Sequence, residues 1–280
     1  MVKHALLLSL FLIFLVMGTA AHAADNESVY ERVMRTGKIR CGYVIYPPNT
    51  IKDPNTGEIY GMSPDVIKKA AEGLGLEIEW AEEVGTATMV QGLINDRYDM
   101  LCTAAWLNLP RARYAAFSKP IYYTVVNAVS REGDIRFDNN LKAINDPAVT
   151  VGSVDGSAYT VIAQTQFPNA KISSYPDLTD LAQPLVDVMT GKADVAFMEN
   201  YILNSFMENN PGKVRMVPAD RPVKVFQNSY LMKGGEYRFN HMIDVALTHM
   251  LNNGEVDEII SLYEKWPGSF KRVAIPYEQE

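Results

Sequence analysis

One arginine stands in a sequence setting that suits the binding of a carboxylate. Arg111 follows an apolar stretch that ends near Trp106, and it precedes the sequence Phe117-Ser118-Lys119-Pro120 by six residues. A guanidinium group presents a planar fork of donors that pairs with both oxygens of a carboxylate. An arginine taken alone is more often a solvated surface residue, so its role depends on the other candidates in the chain.

Two further candidates follow predicted strands in the second half of the chain. Glu199 ends an apolar run that starts after Asp194, and a carboxylate at the carboxyl end of a parallel strand lies where α/β proteins form ligand crevices. Gly156-Ser157-Ala158 joins a predicted strand to a predicted helix, where free N–H groups and the helix dipole attract an anion. An exposed loop glutamate and an ordinary strand-to-helix turn are the alternatives, and both stay open here.

Two aromatic residues complete the set of candidate binding residues. Tyr46 precedes Pro47-Pro48, whose rings fix the backbone and make this loop rigid. Trp106 stands five residues before Arg111, where it could stack on a flat ligand or on a cation. The alternative for Trp106 is a residue of the hydrophobic core.

Composition and the start of the chain exclude several classes of function. The 280 residues include 26 basic and 33 acidic ones, which argues against a nucleic-acid or anionic-membrane partner. Lys3 and His4 precede an apolar run and then Ala21-His22-Ala23, so we expect residues 1–23 to be a cleavable signal peptide. The remaining chain of about 257 residues would carry a net charge of −8. It would be a soluble, exported protein.

The histidines give no support for a metal site or a catalytic triad. Only His241 and His249 remain after the predicted cleavage, both in a predicted helix far along the chain from any candidate nucleophile. We therefore expect no metal, no other cofactor and no catalytic residues.

The pattern of elements predicts a parallel α/β architecture. Short apolar strands alternate with amphipathic helices along the chain. Ser63 is predicted to cap a helix, and Pro184 to split or kink a helix over residues 178–190. The segment from Leu93 to Leu101 resembles the segment from Val188 to Ala196, because each reads as a helix end, a polar turn, an aspartate and an apolar strand. This echo predicts two lobes built on one plan.

The order of these features resembles the bacterial periplasmic solute-binding proteins of the polar-amino-acid transport branch. The resemblance runs from Ile39 to Trp266 and includes the signal peptide, the Tyr-Pro-Pro loop, Arg111 before Phe-Ser-x-Pro, Gly156-Ser157 and the Asp-x4-Glu spacing. It implies a two-lobe fold in which each lobe is a mainly parallel sheet flanked by helices and two strands cross between the lobes. The implied segments are 24–125 for the first part of lobe one, 126–224 for lobe two, and 225–280 for the second crossing and the return to lobe one.

The resemblance also implies a function and a binding site. It implies a monomeric protein that captures a small amino acid or related carboxylate between its lobes and delivers it to an ABC permease. Arg111 and Ser157 would hold the carboxylate and Glu199 the ammonium group, while Tyr46 and Trp106 would line the ligand. Exported cyclohexadienyl dehydratases resemble the same proteins, so an enzyme on this fold is the alternative, with Glu199 as its general acid.

Several positions depart from the pattern of that family. Ala158 lacks a hydroxyl that the family often has, Ala104 replaces a common Ser or Gly, Asn49 stands where Phe is frequent, and Thr86 stands where an aromatic clamp is often found. These departures affect the identity of the ligand more than the fold.

The resemblance also implies that the two cysteines could form a disulfide. In the family fold Cys41 and Cys102 would lie on neighbouring strands of lobe one, about 4.8 Å apart, which allows a disulfide in an exported protein. Two buried free thiols are the alternative.

Overall fold

The computed structural model describes residues 27–107, 109–176 and 179–273. The predicted signal peptide, residues 1–23, lies outside the described residues. The eight α-helices of the described residues are α1 Val29–Thr36, α2 Met62–Gly73, α3 Met89–Ile94, α4 Ala158–Gln166, α5 Gln183–Thr190, α6 Asn200–Asn209, α7 Tyr237–Asn252 and α8 Glu255–Tyr263. The strands are β1 Lys38–Tyr43, β2 Ile51–Lys52, β3 Ile59–Tyr60, β4 Glu77–Glu83, β5 Met100–Trp106, β6 Ala115–Phe117, β7 Tyr122–Arg131, β8 Thr150–Val154, β9 Lys171–Tyr175, β10 Val195–Glu199, β11 Val214–Met216 and β12 Lys224–Lys233.

The main sheet is symmetric about its middle. Its strand order is β4-β1-β5-β12-β7-β10-β8-β9, with β6 paired to β12 and β11 to β7. On one side β1 pairs in parallel with β4 and β5, and on the other side β8 pairs in parallel with β9 and β10. The two central strands, β12 and β7, are antiparallel to each other and to their outer neighbours. The predicted two-lobe α/β fold is confirmed.

Each half of the sheet has its own hydrophobic core. In the first lobe, α2, α7 and α8 pack on β1 and β5 around residues such as Val66 and Leu247, and a smaller cluster around Tyr98 fills the opposite face. The second lobe packs α4, α5 and α6 on β8 and β10 around residues such as Val151 and Leu185. The large cores are separate, and the two lobes meet through their central strands and through α6, whose Tyr201 packs on Trp266 and Phe270.

The two central strands form the connection between the lobes. The first half of β7 pairs with the first half of β12, from Tyr122 opposite Asn228 to Val126 opposite Lys224. Inside this pairing the Asn228 amide nitrogen donates to Thr124 Oγ1 at 3.2 Å, and both side chains are buried. The predicted strands over residues 124–129 and 223–232 correspond to β7 and β12.

The sequence echo between the lobes has a physical basis. Asp99, before β5, is fully buried and accepts from the backbone nitrogen of Arg40 on β1 at 2.6 Å. Asp194, before β10, accepts from the backbone nitrogen of Thr150 on β8 at 2.8 Å. An aspartate thus ties β5 to β1 in the first lobe and β10 to β8 in the second lobe. In each lobe an arginine also pairs with that aspartate.

Two predicted helix starts are wrong. Helix α2 begins at Met62 with Gly61 at its cap position, and Ser63 is buried inside the first turn rather than capping it. Helix α5 begins at Gln183, so Pro184 lies in its first turn. Proline is tolerated there because the first N–H groups of a helix have no intrahelical partner.

A disulfide joins Cys41 on β1 to Cys102 on β5, with their Cα atoms 5.4 Å apart. The predicted bridge is therefore present in the structure, and both side chains are fully buried. Among the described residues, the helices are all too short or too polar to cross a membrane.

Candidate functional site

Strand pairing places Trp106 and Glu199 on either side of the central pair of strands. Trp106 ends β5 and lies opposite Asn228 of β12, which in turn lies opposite Tyr122 of β7. Glu199 ends β10 and lies opposite Val126 of β7. The carboxyl ends of β5 and β10 therefore both lie beside the two central strands that connect the lobes.

Glu199 is a buried carboxyl surrounded by phenol groups. Its side chain is 4% exposed, and its Oε1 accepts a hydrogen bond from the Tyr46 hydroxyl of the first lobe. Burial raises the pKa of Glu199 from 4.5 to about 7, although hydrogen bonding with Tyr46 and Tyr159 acts in the opposite direction. At neutral pH the carboxyl can therefore exist with or without its proton.

The loop that carries Tyr46 is fixed by a buried polar network. Asn49 accepts from the Ser63 hydroxyl and donates from Nδ2 to the Ala104 carbonyl at 2.8 Å. The Ser63 hydroxyl in turn accepts from the backbone nitrogen of Ala104 at 3.0 Å. Asn49 and Ser63, both buried, thus hold the loop against β5. The Ser63 hydroxyl is used in this network and does not cap helix α2.

Trp106 packs against the second lobe although its strand belongs to the first. Its ring stacks on Phe226 of β12 with centroids 4.3 Å apart and meets Tyr159 of α4 edge-on at 5.8 Å. The ring is half-buried. Trp106 is therefore a partly exposed residue that packs on aromatic side chains of a central strand and of the second lobe.

Arg111 lies in a short 3-10 turn, Arg111–Arg113, of the first lobe. Its side chain is half-buried, and its Nη2 donates to the Thr86 carbonyl at 3.3 Å. Burial lowers the pKa of the guanidinium group. Partial desolvation of a cation is costly, and an anionic ligand offsets that cost.

Ser157 is the N-cap of helix α4. Its Oγ accepts from the backbone nitrogen of Thr160 at 3.2 Å. The same Oγ lies 3.3 Å from Thr160 Oγ1, and either hydroxyl can be the donor of that hydrogen bond. Gly156 and Ser157 lie at the amino end of α4, two residues before the buried Tyr159.

The structure brings three of the five predicted site residues into one cluster. Tyr46 contacts Glu199 directly, and Trp106 joins them through Tyr159. Ser157 lies on the same helix turn as Tyr159, whereas Arg111 contacts the Thr86 carbonyl in the loop after β4.

A comparison with known proteins identifies the family of this chain. The sequence model described as "Bacterial extracellular solute-binding proteins, family 3" matches residues 39–269. The chain belongs to this family of solute-binding proteins. The family predicted from the sequence is thereby confirmed.

The similar curated proteins include both binding proteins and an enzyme. A cyclohexadienyl dehydratase of Pseudomonas aeruginosa is 25% identical over 90% of this chain and 93% of its own length. A probable amino-acid ABC transporter-binding protein of Haemophilus influenzae is 24% identical over 82% of this chain and 86% of its own. Most of the similar curated proteins are named as binding proteins of ABC transporters.

A solved structure shares the fold of this solute-binding protein. The ancestral amino acid-binding protein AncCDT-1, a precursor of cyclohexadienyl dehydratase, superposes with a TM-score of 0.68 at 20% identity, over 85% of this chain and all of that one. At this identity the match supports the two-lobe fold alone.

Three aromatic residues of the candidate site were missed in the sequence. The rings of Tyr159 and Phe226 contact Trp106. Burial raises the pKa of Tyr122, and the charge of Glu199 adds to this effect. Tyr159 stands directly after Gly156-Ser157-Ala158, so its position in a candidate ligand-binding turn was the available signal. Tyr122 and Phe226 carry no comparable signal, because they read as ordinary strand residues.

Proposed function

We propose that this family-3 protein captures a small amino acid or related carboxylate between its two lobes, in the periplasm, and delivers it to an ABC permease. The observation that carries the proposal is the hydrogen bond between Tyr46 of the first lobe and Glu199 of the second. It makes Glu199 part of a surface shared by both lobes, at the strands about which such lobes close. The amino-acid ABC transporter-binding protein of Haemophilus influenzae supports the same function.

The charges of the site suit a zwitterion. Arg111 would pair with the ligand carboxylate, with the amino end of α4 and Ser157 as further donors. Glu199 would accept from the ligand ammonium group, and Tyr46 and Trp106 would cover its body. Burial has taken both charged groups partly out of water, so each would be stabilised by a ligand charge of opposite sign.

The binding proposal is tested by a thermal-shift panel on the chain from Ala24 onward, refolded from denaturant to remove any co-purified ligand. The panel contains the common amino acids, polyamines, dicarboxylates, aromatic acids and prephenate. A ligand at one hundred times its Kd adds about 2.7 kcal/mol to stability, which raises the unfolding temperature by several degrees. We expect at least one amino acid to give such a shift.

Variants connect the shift to the proposed residues. Arg111→Ala and Glu199→Gln should each weaken binding by about tenfold to a hundredfold, because each removes a charge-assisted hydrogen bond. Arg113→Ala is the matched control, since Arg113 lies in the same 3-10 turn and is exposed. A flat panel, or a shift that survives both substitutions, would contradict the proposal.

An enzymatic function is the second candidate, and one observation favours it. The pKa of Glu199 is about 7, so a buried carboxylic acid is available to protonate the leaving hydroxyl group of prephenate or arogenate. The hydroxyl departs as water while the carboxylate on the same ring departs as carbon dioxide, and the electrons of that broken bond complete the aromatic ring. The cyclohexadienyl dehydratase of Pseudomonas aeruginosa, similar over 90% of this chain, supports this candidate.

The pH dependence separates the two functions because they need opposite states of Glu199. Binding of an ammonium group needs the carboxylate, so affinity should fall as the pH drops below about 7. Dehydration needs the acid, so kcat/KM with prephenate or arogenate should fall as the pH rises above about 7. Product formation that Glu199→Gln abolishes would establish the enzyme, and binding without product would exclude these two substrates.

A further inference from the structure

Helix α6 of the second lobe has side chains that pack in both lobes. Tyr201 packs against the large core of the first lobe, whereas Ile202 and Phe206 pack against the core of the second lobe. The helix follows Glu199 at the end of β10, so it moves with the second lobe. Tyr201 is therefore a residue of the second lobe whose ring lies against the first.

Two aromatic residues of the segment after α8 receive the Tyr201 ring. It meets Trp266 edge-on with ring centroids 5.0 Å apart and stacks on Phe270 at 5.6 Å. Phe270 is buried and meets Tyr122, the first residue of β7, edge-on at 5.4 Å. The rings of Tyr201, Trp266 and Phe270 form an interlobe aromatic contact, which joins the second lobe to the start of a central strand.

The segment after α8 is fixed to the first lobe by contacts that do not involve Tyr201. Phe270 belongs to the large core of the first lobe. Lys271 and Tyr123 of β7 exchange two backbone hydrogen bonds, each 2.7 Å long. Glu264 Oε1 accepts from the backbone nitrogen of Phe270 at 2.9 Å. The surface that receives Tyr201 therefore stays in place when the second lobe moves.

Polar contacts between α6 and the same segment are weaker. Asn204 Nδ2 lies 3.5 Å from Ser269 Oγ, and Lys265 Nζ pairs with Glu208 at 2.6 Å. Both side chains of this ion pair are exposed, and exposed pairs contribute little to stability. Aromatic pairs are attractive beyond the area that they bury. Tyr201 therefore supplies the main part of the attraction between α6 and this segment.

The interlobe aromatic contact lies close in sequence to a second contact between the lobes. Tyr201 stands two residues after Glu199, which accepts from the Tyr46 hydroxyl of the first lobe. Both contacts are therefore made at the junction of β10 and α6. A rotation of the second lobe about β7 and β12 that draws Glu199 away from Tyr46 also draws Tyr201 away from its two partner rings. The two contacts thus favour the same orientation of the lobes.

We propose that Tyr201 is a positioning residue that holds the lobes in the orientation in which Tyr46 reaches Glu199, and thereby strengthens the binding of a ligand between them. Tyr201 acts through this orientation and does not touch the ligand. The apparent affinity of a protein falls with the fraction of molecules in the binding-competent conformation. The effect on affinity rests on the proposed capture of an amino acid, whereas the effect on orientation can be measured without a ligand.

The experiment compares three variants of α6 in the chain from Ala24 onward. Tyr201→Ala removes the ring from its contacts with Trp266 and Phe270, and Tyr201→Phe keeps the ring. Phe206→Ala is the matched control, because Phe206 is a half-buried aromatic residue of the same helix that packs on the core of the second lobe.

Nitroxide labels report the orientation of the lobes in the ligand-free protein. They are attached to Glu72→Cys on α2 and Gln164→Cys on α4, two exposed positions in different lobes, while the two native cysteines are bonded to each other. Pulsed electron paramagnetic resonance gives the distribution of distances between the labels. We expect Tyr201→Phe and Phe206→Ala to keep the distribution of the otherwise unchanged protein, and Tyr201→Ala to broaden it.

Isothermal titration with L-arginine, L-glutamine and L-phenylalanine measures the effect on binding. Tyr201→Ala should weaken the binding of whichever probe binds by about twofold to tenfold, the equivalent of one lost aromatic pair. Tyr201→Phe and Phe206→Ala should keep the wild-type affinity, because both retain the interlobe aromatic contact. Both alanine variants should unfold at a lower temperature, so a loss of stability alone does not account for a difference in affinity between them.

Two results would overturn the inference. An unchanged distance distribution in Tyr201→Ala would show that the orientation of the lobes does not depend on the aromatic contact. Unchanged or tighter probe binding in Tyr201→Ala, beside a broader distribution, would show that the contact holds an orientation that does not favour the ligand. Failure of the wild-type protein to bind any probe would remove the claim on affinity together with the proposed capture of these amino acids, while the distance measurement would still decide whether Tyr201 holds the lobes.

Discussion

The carboxyl of Glu199 links the stability of this protein to pH. Burial raises its pKa from 4.5 to about 7, so between these values the folded protein holds a proton that the unfolded chain has released. The folded state is therefore favoured at low pH, and stability falls as the pH rises through this window. The loss is on the order of 3 kcal/mol by pH 8, at about 1.4 kcal/mol for each pKa unit.

We predict that Glu199→Gln removes this pH dependence. Gln keeps the shape of the side chain without a titrating group, so the variant should match the wild-type protein near pH 5 and exceed its stability by about 2–3 kcal/mol at pH 8. Urea unfolding at both pH values measures the difference. Glu132→Gln, at an exposed position, should follow the wild-type curve, and a Glu199→Gln variant that does the same would refute the burial argument.

At the residue scale, the sequence predicts where a residue lies in its strand or loop better than it predicts which side chains surround that residue. Glu199 was predictable as a strand-end carboxylate, because an apolar run of four residues after Asp194 fixes where the strand stops. Its burial and the phenols beside it were not predictable, because they depend on how α4 and the Tyr46 loop pack against β10. Asn49 illustrates the same limit, since its side chain bonds the Ser63 hydroxyl, 14 residues away, and the Ala104 backbone carbonyl, 55 residues away.

At the scale of elements, Ser157 at the amino end of α4 caps the helix and is also proposed to donate to the ligand carboxylate. A comparison with a second N-cap serine separates these two roles. Ser157 caps this helix through the Thr160 backbone nitrogen, as Ser28 caps α1 through the Glu31 backbone nitrogen. Replacing an N-cap serine by alanine costs about 1 kcal/mol. We predict that Ser157→Ala and Ser28→Ala lower stability by similar amounts, whereas only Ser157→Ala also weakens ligand binding.

The measurement combines chemical unfolding with titration of whichever amino acid binds the wild-type protein. Ser28 lies in the first lobe, in a capping box at the start of α1, so its variant controls for stability alone. Equal affinity in both variants would show that Ser157 is a cap and nothing more.

Element types were predictable where hydrophobic periodicity decides them, and element starts were not. Helix α2 has a clear apolar face, yet its start was placed wrongly because Ser63 looks like a cap. In the folded chain the Ser63 hydroxyl is used instead by Asn49 and Ala104. Ser63 has a strong local preference for the N-cap position, but its hydroxyl is used in tertiary hydrogen bonds instead. A single sequence does not reveal such long-range contacts.

At the scale of the whole molecule, the two-lobe plan was visible in the echo around Asp99 and Asp194. Both aspartates have the same structural role: Asp99 ties β5 to β1, and Asp194 ties β10 to β8. The register of the central strands was not visible, because long apolar strands such as β7 and β12 can pair in several registers with similar hydrophobic patterns. That register decides which residues meet between the lobes.

The separate cores of the two lobes make the effect of the disulfide local. Cys41 and Cys102 are 61 residues apart and join β1 to β5 within the first lobe. A cross-link closing a loop of this length stabilises by about 4 kcal/mol through the entropy of the unfolded chain. Reduction, or the double variant Cys41→Ala Cys102→Ala, should therefore speed amide hydrogen exchange in β1 and β5 while β8 and β9 keep their protection. Equal acceleration in both lobes would mean that they unfold as a single cooperative unit, joined more tightly through β7 and β12 than their separate cores suggest.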